Sequence, residues 1–157
     1  GVIRDYLRLC RRTSPKVMRI LYGFTTGTNE KERTPAFKAL RSSAVADHME
    51  RTNSRTYRVS LEGYGFVASP PGNGVDCHRT WEGLYLHTIP IVKRSTLYDA
   101  FPGLPVLLVD DWSEVSTWDS SFLQNEYERL SAAMETTPYL KFDYWANLIE
   151  RARAGKS

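Results

Sequence analysis

Residues 69–82, SPPGNGVDCHRTWE, concentrate the chemistry of this chain. An apolar run ends at Ser69 and breaks into Pro, Gly and Asn before a polar cluster opens a helix. Gly72 and Gly74 let the backbone turn sharply and approach a ligand closely. The N–H groups and dipole at the start of the next helix favour an anion there. Asp76 reads as the N-cap of that helix. Arg79, one turn in, suits bidentate contact with a phosphate. Glu82, three residues later on the same face, suits ribose hydroxyls. The expectation is a phosphate or diphosphate ligand. The plainer readings are a loop that is Gly-rich for turning alone and a surface Arg79–Glu82 ion pair. Cys77 and His78 point about 100° apart on a helix, which argues against a shared metal. His78 reads as a ligand contact or an acid/base, against a helix-end hydrogen-bonding role. Cys77, Trp81, Leu84 and Tyr85 read as the core-facing side.

These residues need a scaffold. Apolar runs at 17–24, 65–69, 89–92 and 105–109 read as strands covered on both faces. Helices are expected over 2–12, 35–49 (Thr34 as cap, Pro35 at the first helical position), 76–86, 119–134 and 142–154. Residues 97–101 read as a helical turn. The alternation of Tyr57, Val59 and Leu61 predicts a short strand over 56–61. Strands alternating with helices predict an α/β fold, a Rossmann-like doubly wound parallel sheet. The chain reads as one domain over 1–157: an amino-terminal helix in 1–15, a core with the site loops in 16–115, and carboxyl-terminal helices in 116–157. In such sheets ligands sit beyond the carboxyl ends of strands. Two loops leave strand ends and lead into helices, Thr25 to Arg33 and Ser69 to Arg79, and the second is the more informative.

Composition narrows the function classes. The 157 residues carry a net charge of +3, too little to argue for nucleic acid. Arg4, Arg8, Arg11, Arg12, Lys16 and Arg19 crowd the first twenty positions. They read as the solvated side of an amphipathic helix ahead of a phosphate-facing arm. Cys10 and Cys77 make no disulfide framework. No apolar run approaches the ~20 residues of a membrane helix. Asp110-Asp111 stands alone as a metal motif, Asp-x-Asp occurs nowhere, and His48 and His87 are isolated, so no metal site is expected. Gly155-Lys156-Ser157 mimics the tail of a P-loop, but Glu150 occupies the place of its first Gly.

The block from Ser69 to Lys93, followed by LPVLLVDDWSEV at 104–115, resembles the carboxyl-terminal lobe of exostosin-like GT-B glycosyltransferases. The shared pattern is a strand, a Ser-Pro-x-Gly loop, an Arg and a Glu on the next helix, then a small-residue-Ile-Pro-Ile/Val strand. The resemblance spans about Lys16 to Glu128 and is dense over Phe66–Lys93. It implies a lobe that binds a nucleotide-sugar donor without a metal at an Asp-x-Asp motif. By position it implies that Ser69, Gly72, Asn73, Gly74 and Asp76 hold the diphosphate, with His78 beside them. Arg79 pairs with the diphosphate, Glu82 holds the ribose, and Thr28, Asn29 and Arg33 approach from the first loop. His87 departs from the pattern, which has Gly or another small residue before the Ile-Pro strand.

A GT-B enzyme has two such lobes and reacts its substrates between them. This length accommodates one, so catalysis is expected to need an amino-terminal lobe or a partner chain, and no catalytic residue is assigned. The donor is a substrate and no cofactor is expected. The alternative is a non-catalytic, glycosyltransferase-derived subunit of a larger assembly. The acceptor glycan or protein is left open. So is the compartment, which would be the Golgi lumen for an exostosin-like enzyme.

Overall fold

The computed structural model describes residues 15–155. The expected helix over 2–12, and Lys156 and Ser157, lie outside them. Five strands form one parallel sheet: β1 (Val17–Tyr22), β2 (Ala46–His48), β3 (Tyr64–Ala68), β4 (Ile89–Lys93) and β5 (Leu107–Val109). Their spatial order is β2-β1-β3-β4-β5. Register is set by pairs such as Ile20 with Phe66, Phe66 with Ile89, and Ile91 with Leu107. Alternate residues of the central strands β1 and β3 enter different apolar clusters. Ile20, Tyr22, Phe66 and Ala68 belong to the larger one, with Ala36, Leu40, Leu123 and Leu130 from helices. Leu21 and Val67 join Leu61 and Leu86 in the smaller. The strands are thus covered on both faces, as a doubly wound α/β sheet requires. No helix among the described residues is long and apolar enough to cross a membrane.

The helices are α1 (Glu30–Ser42), α2 (Ser54–Glu62), α3 (His78–Tyr85), the single turn α4 (Thr96–Asp99), α5 (Ser120–Thr136) and α6 (Phe142–Ala154). Three differences from the sequence reading bear on the site. First, α1 starts at Glu30. Asn29 caps it by accepting from the Glu32 N–H at 3.3 Å, with Glu30 and Glu32 in the first turn. Cap and dipole outweigh Pro35, which lies inside the helix and forgoes one intrahelical bond.

Second, the expected last turns of that helix are instead β2, paired with β1 through Ile20–Ala46 and Tyr22–His48. Arg19 grips Asp47 through two bonds of 2.6 Å, and the Tyr64 hydroxyl donates to the same carboxylate at 3.1 Å. The guanidinium's hydrogen bonds hold the Asp47 carboxyl below its usual range. Third, residues 54–62 are a helix and not a strand. Asn53 caps it by accepting from the Thr56 N–H at 2.9 Å. Tyr57 and Leu61 share a face as an i, i+4 pair, while Val59 between them is 57% exposed.

At the amino-terminal edge of the sheet, Lys16 Nζ donates to the carbonyls of Glu62 (2.6 Å), Leu86 (3.0 Å) and Tyr64 (3.3 Å) and to Thr88 Oγ1 (3.0 Å). It thereby closes the carboxyl ends of α2 and α3, where the dipole favours a cation. Burial lowers its pKa to about 8 against the opposing pull of Glu62. Lys16 and Arg19, two members of the basic cluster, are therefore structural.

Candidate functional site

The chain leaves β1 toward β2 on one side, whereas β3 lies on the other and leads to β4. Such a divergence opens a crevice at the carboxyl ends of the strands. A cavity of about 510 Å³ lies there. Gly23, Phe24 and Thr25 line it from the end of β1 and Arg33 from α1. His48 to Thr52 line it after β2, with Ser54 and Tyr57 from α2. Cys77, His78, Arg79 and Glu82 form the wall at the start of α3.

Three arginines, Arg33, Arg51 and Arg79, and two carboxylates, Glu50 and Glu82, line it, and two of the guanidinium groups flank one aromatic ring. Arg33 and Arg79 stand 5.8 and 6.0 Å from the centre of the Phe24 ring, within cation–π reach. Arg33 is buried and donates to the carbonyls of Pro71 (2.9 Å) and Thr25 (3.0 Å). Burial, then the charge of Arg79, lowers the Arg33 pKa, with Cys77 opposing. An arginine remains charged under such a shift. Arg79 donates to the Gly23 carbonyl at 3.1 Å and to Cys77 Sγ at 3.7 Å. Its Nε is buried with no hydrogen-bond partner, as is the Tyr57 hydroxyl. Among the described residues neither arginine forms an ion pair. The Arg79–Glu82 surface pair is thus not formed, and Glu82 stands separately on the cavity wall.

Of the residues singled out from the sequence, the cavity gathers Arg33, His78, Arg79 and Glu82. The others lie outside its lining. Ser69 is buried and shares a 2.8 Å hydrogen bond with Thr80. Asn29 Nδ2 donates to the Gly72 carbonyl at 3.0 Å, bracing one strand-end loop against the other. Gly72 permits a close approach, but to Arg33: a Cβ there would stand 2.8 Å from the guanidinium. Asn73 and Gly74 are exposed, and the Gly72 N–H donates back to the Gly74 carbonyl at 3.0 Å. Thr28 shares a hydroxyl contact with Thr25 at 3.1 Å.

Asp76 is not the N-cap. Cys77 holds the extended cap position, and Asp76 accepts from Trp81 Nε1 at 2.8 Å, one residue too early to reach the helix start. Cys77 itself faces the cavity and not the core. Tyr85, read as core, is exposed, whereas Leu84 is buried. Asp110 pairs with Arg94, and Asp111 with Glu114 closes the capping box of the 3-10 turn Trp112–Thr117. Among the described residues no grouping of His, Cys, Asp and Glu could hold a metal.

The sequence reading missed the β2–α2 side of the cavity. In the sequence His48 stands isolated and Tyr57 falls in the expected strand over 56–61. The Asn53 cap followed by Tyr57 and Leu61 at helical spacing was the available signal for α2.

Fold and site together define a doubly wound α/β domain with a cavity at its strand ends lined by arginines, glutamates and the Phe24 and Tyr57 rings. Compared with models of known protein families and with curated proteins, the chain matches none.

Proposed function

We propose that this chain is the donor-binding lobe of a glycosyltransferase that uses a nucleoside diphosphate sugar. The observation that carries the reading is the pair Arg33 and Arg79, both on Phe24, both free of carboxylate partners among the described residues, in a cavity at the strand ends. Two fixed positive charges in a partly desolvated crevice favour an oxyanion such as a diphosphate. Glu82, one turn along α3 from Arg79, is the ribose-hydroxyl acceptor in this proposal. The order of strand, Ser-Pro-Pro-Gly loop, Arg79–Glu82 helix and Ile-Pro-Ile-Val strand supports the same reading. In this proposal the loop of residues 69–74 acts indirectly, holding Arg33 through Pro71. The acceptor and the proton-transfer group come from a second lobe or partner.

Calorimetry against UDP, GDP and their sugars tests the reading. Binding is expected, and Arg79→Ala and Glu82→Ala should each weaken it by about 1.5–3 kcal/mol, the worth of a buried hydrogen bond to a charged group. Absence of binding across the panel refutes it.

A second reading, a non-catalytic subunit of an assembly, draws on α6, where Phe142 (83% exposed), Leu148 and Ile149 present apolar surface to solvent. The same titration separates the two, because a subunit that has lost donor binding gives no heat with any nucleotide.

A further inference from the structure

We propose that Tyr57 Oη and Arg79 Nε together form the seat of one phosphoryl oxygen in the cavity. Both atoms are buried, both line the same cavity, and neither has a hydrogen-bond partner among the described residues. Leaving a buried polar group unsatisfied is costly, and the phenol proton, which a guanidinium cannot accept, calls for an acceptor at this place. The phenol lies near enough to Arg79 and Glu82 to feel their charges, and it interacts with the Arg79 guanidinium without reaching the geometry of a full hydrogen bond. A guanidinium N–H is only a donor, and the phenol, even where its oxygen accepts from Arg79, still has its own proton to give. An anionic oxygen placed between them would accept from both.

The rest of Arg79 is already committed, with one terminal nitrogen on the Gly23 carbonyl and the other on Cys77 Sγ. These bonds hold the guanidinium so that Nε remains for a ligand. Burial pushes the Tyr57 phenol up to about 12, so it keeps its proton, and its donor role, through the neutral range. Tyr57 comes from α2, which packs beside α3 on the same face of the sheet. The oxygen would therefore be held between two neighbouring helices. The inference deepens the donor-lobe reading and rests on it only for the anion's identity. The chemistry required is a phosphoryl group, free or within a nucleoside diphosphate.

The test titrates wild type, Tyr57→Phe and Arg79→Lys with UDP, GDP, the parent nucleosides and inorganic pyrophosphate. Val59→Ser, on the exposed side of α2, serves as the control. Tyr57→Phe removes one hydroxyl that reaches no full hydrogen bond and should fold with little change in Tm. It should weaken diphosphate binding about tenfold or more while leaving any nucleoside affinity unchanged. Arg79→Lys keeps the charge, loses the Nε donor, and should weaken the same ligands. If wild type binds UDP or GDP and Tyr57→Phe binds it equally well, the seat is refuted and the donor reading stands. If wild type binds pyrophosphate in a Tyr57-dependent way but no nucleotide, the seat stands and the donor reading falls. If no phosphate compound binds, both fall.

Discussion

Arg33 Nε donates a 2.9 Å hydrogen bond to the Pro71 carbonyl, joining α1 to the loop that follows β3. Asn29 makes the parallel tie to Gly72 at 3.0 Å. The two loops leaving the central strands are therefore one braced unit, and Arg33 serves that brace and the cavity at once.

Arg33→Ala should lower stability by about 2–3 kcal/mol in urea unfolding, because it removes two charge-assisted bonds from a buried side chain. Gly72→Ala should cost about 1 kcal/mol by pressing on the guanidinium 2.8 Å from the new Cβ. In the Arg33→Ala background that cost should vanish. Additive effects would show that the two residues are not coupled.

Gly83→Ala should destabilise the chain although alanine favours helices by ~1 kcal/mol over glycine. Its Cβ would meet the Thr88 carbonyl at 2.8 Å and Val67 Cγ1 at 3.0 Å, so α3 must lift from the sheet. A fall in Tm equivalent to about 1–3 kcal/mol is expected. An unchanged or raised Tm would show that α3 does not depend on this contact.

His87 occupies the left-handed region at φ 57°, just past α3, where a helix-ending residue is most often glycine. Its N–H donates to the Leu84 carbonyl and its own carbonyl accepts from Tyr127 Oη. A side chain in this region costs ~1–2 kcal/mol, partly offset by the extra freedom glycine gains when unfolded, ~0.4–1 kcal/mol. His87→Gly should thus hold or raise Tm, and His87→Val should lower it. The reverse ranking in thermal melts would contradict the strained turn.

Lys16 should impose a pH dependence. Its pKa is about 8 in the fold, below the ordinary lysine value of 10.5. From about pH 8 toward 10.5 the unfolded chain therefore binds the extra proton, and stability contributed by this site rises with pH. Below pH 8 both states are protonated and the slope disappears. Tyr57, Tyr64 and Tyr127 are raised and act in the opposite direction once pH exceeds their ordinary 10.0. Chemical denaturation of wild type against Lys16→Met between pH 7.5 and roughly 10 isolates the term. Equal slopes would exclude it.

Much of the fold was legible in short apolar runs. Buried parallel strands read as near-continuous hydrophobic segments, and Ile20–Tyr22, Phe66–Ala68 and Ile89–Val92 are such runs, almost wholly buried. The carboxyl-terminal helices follow from Asp119 as a cap and from the apolar spacing after Phe142. By contrast β2 has three residues, two of them polar, and exists through its pairing with β1 and the Arg19 clamp on Asp47. Nothing within residues 46–48 announces a strand. Residues 54–62 misled because Tyr57, Val59 and Leu61 fit a period of two as well as Tyr57 and Leu61 fit a helix. Only the packing, with Leu61 buried and Val59 in solvent, separates the two.

The candidate site divides in the same way. By itself the sequence determined that an arginine and a glutamate would follow a glycine-containing loop on one helix, near the carboxyl end of a parallel strand. That much depends on neighbours along the chain. Tertiary structure decided which polar groups face the cavity and which are consumed by the scaffold. Arg33 meets Pro71 across 38 residues and Arg79 meets Gly23 across 56. Tyr57 reaches the cavity from a helix that local alternation concealed. A hydrogen-bonding side chain is committed to whichever acceptor the fold brings within about 3 Å, and that proximity between distant segments is not written in local periodicity.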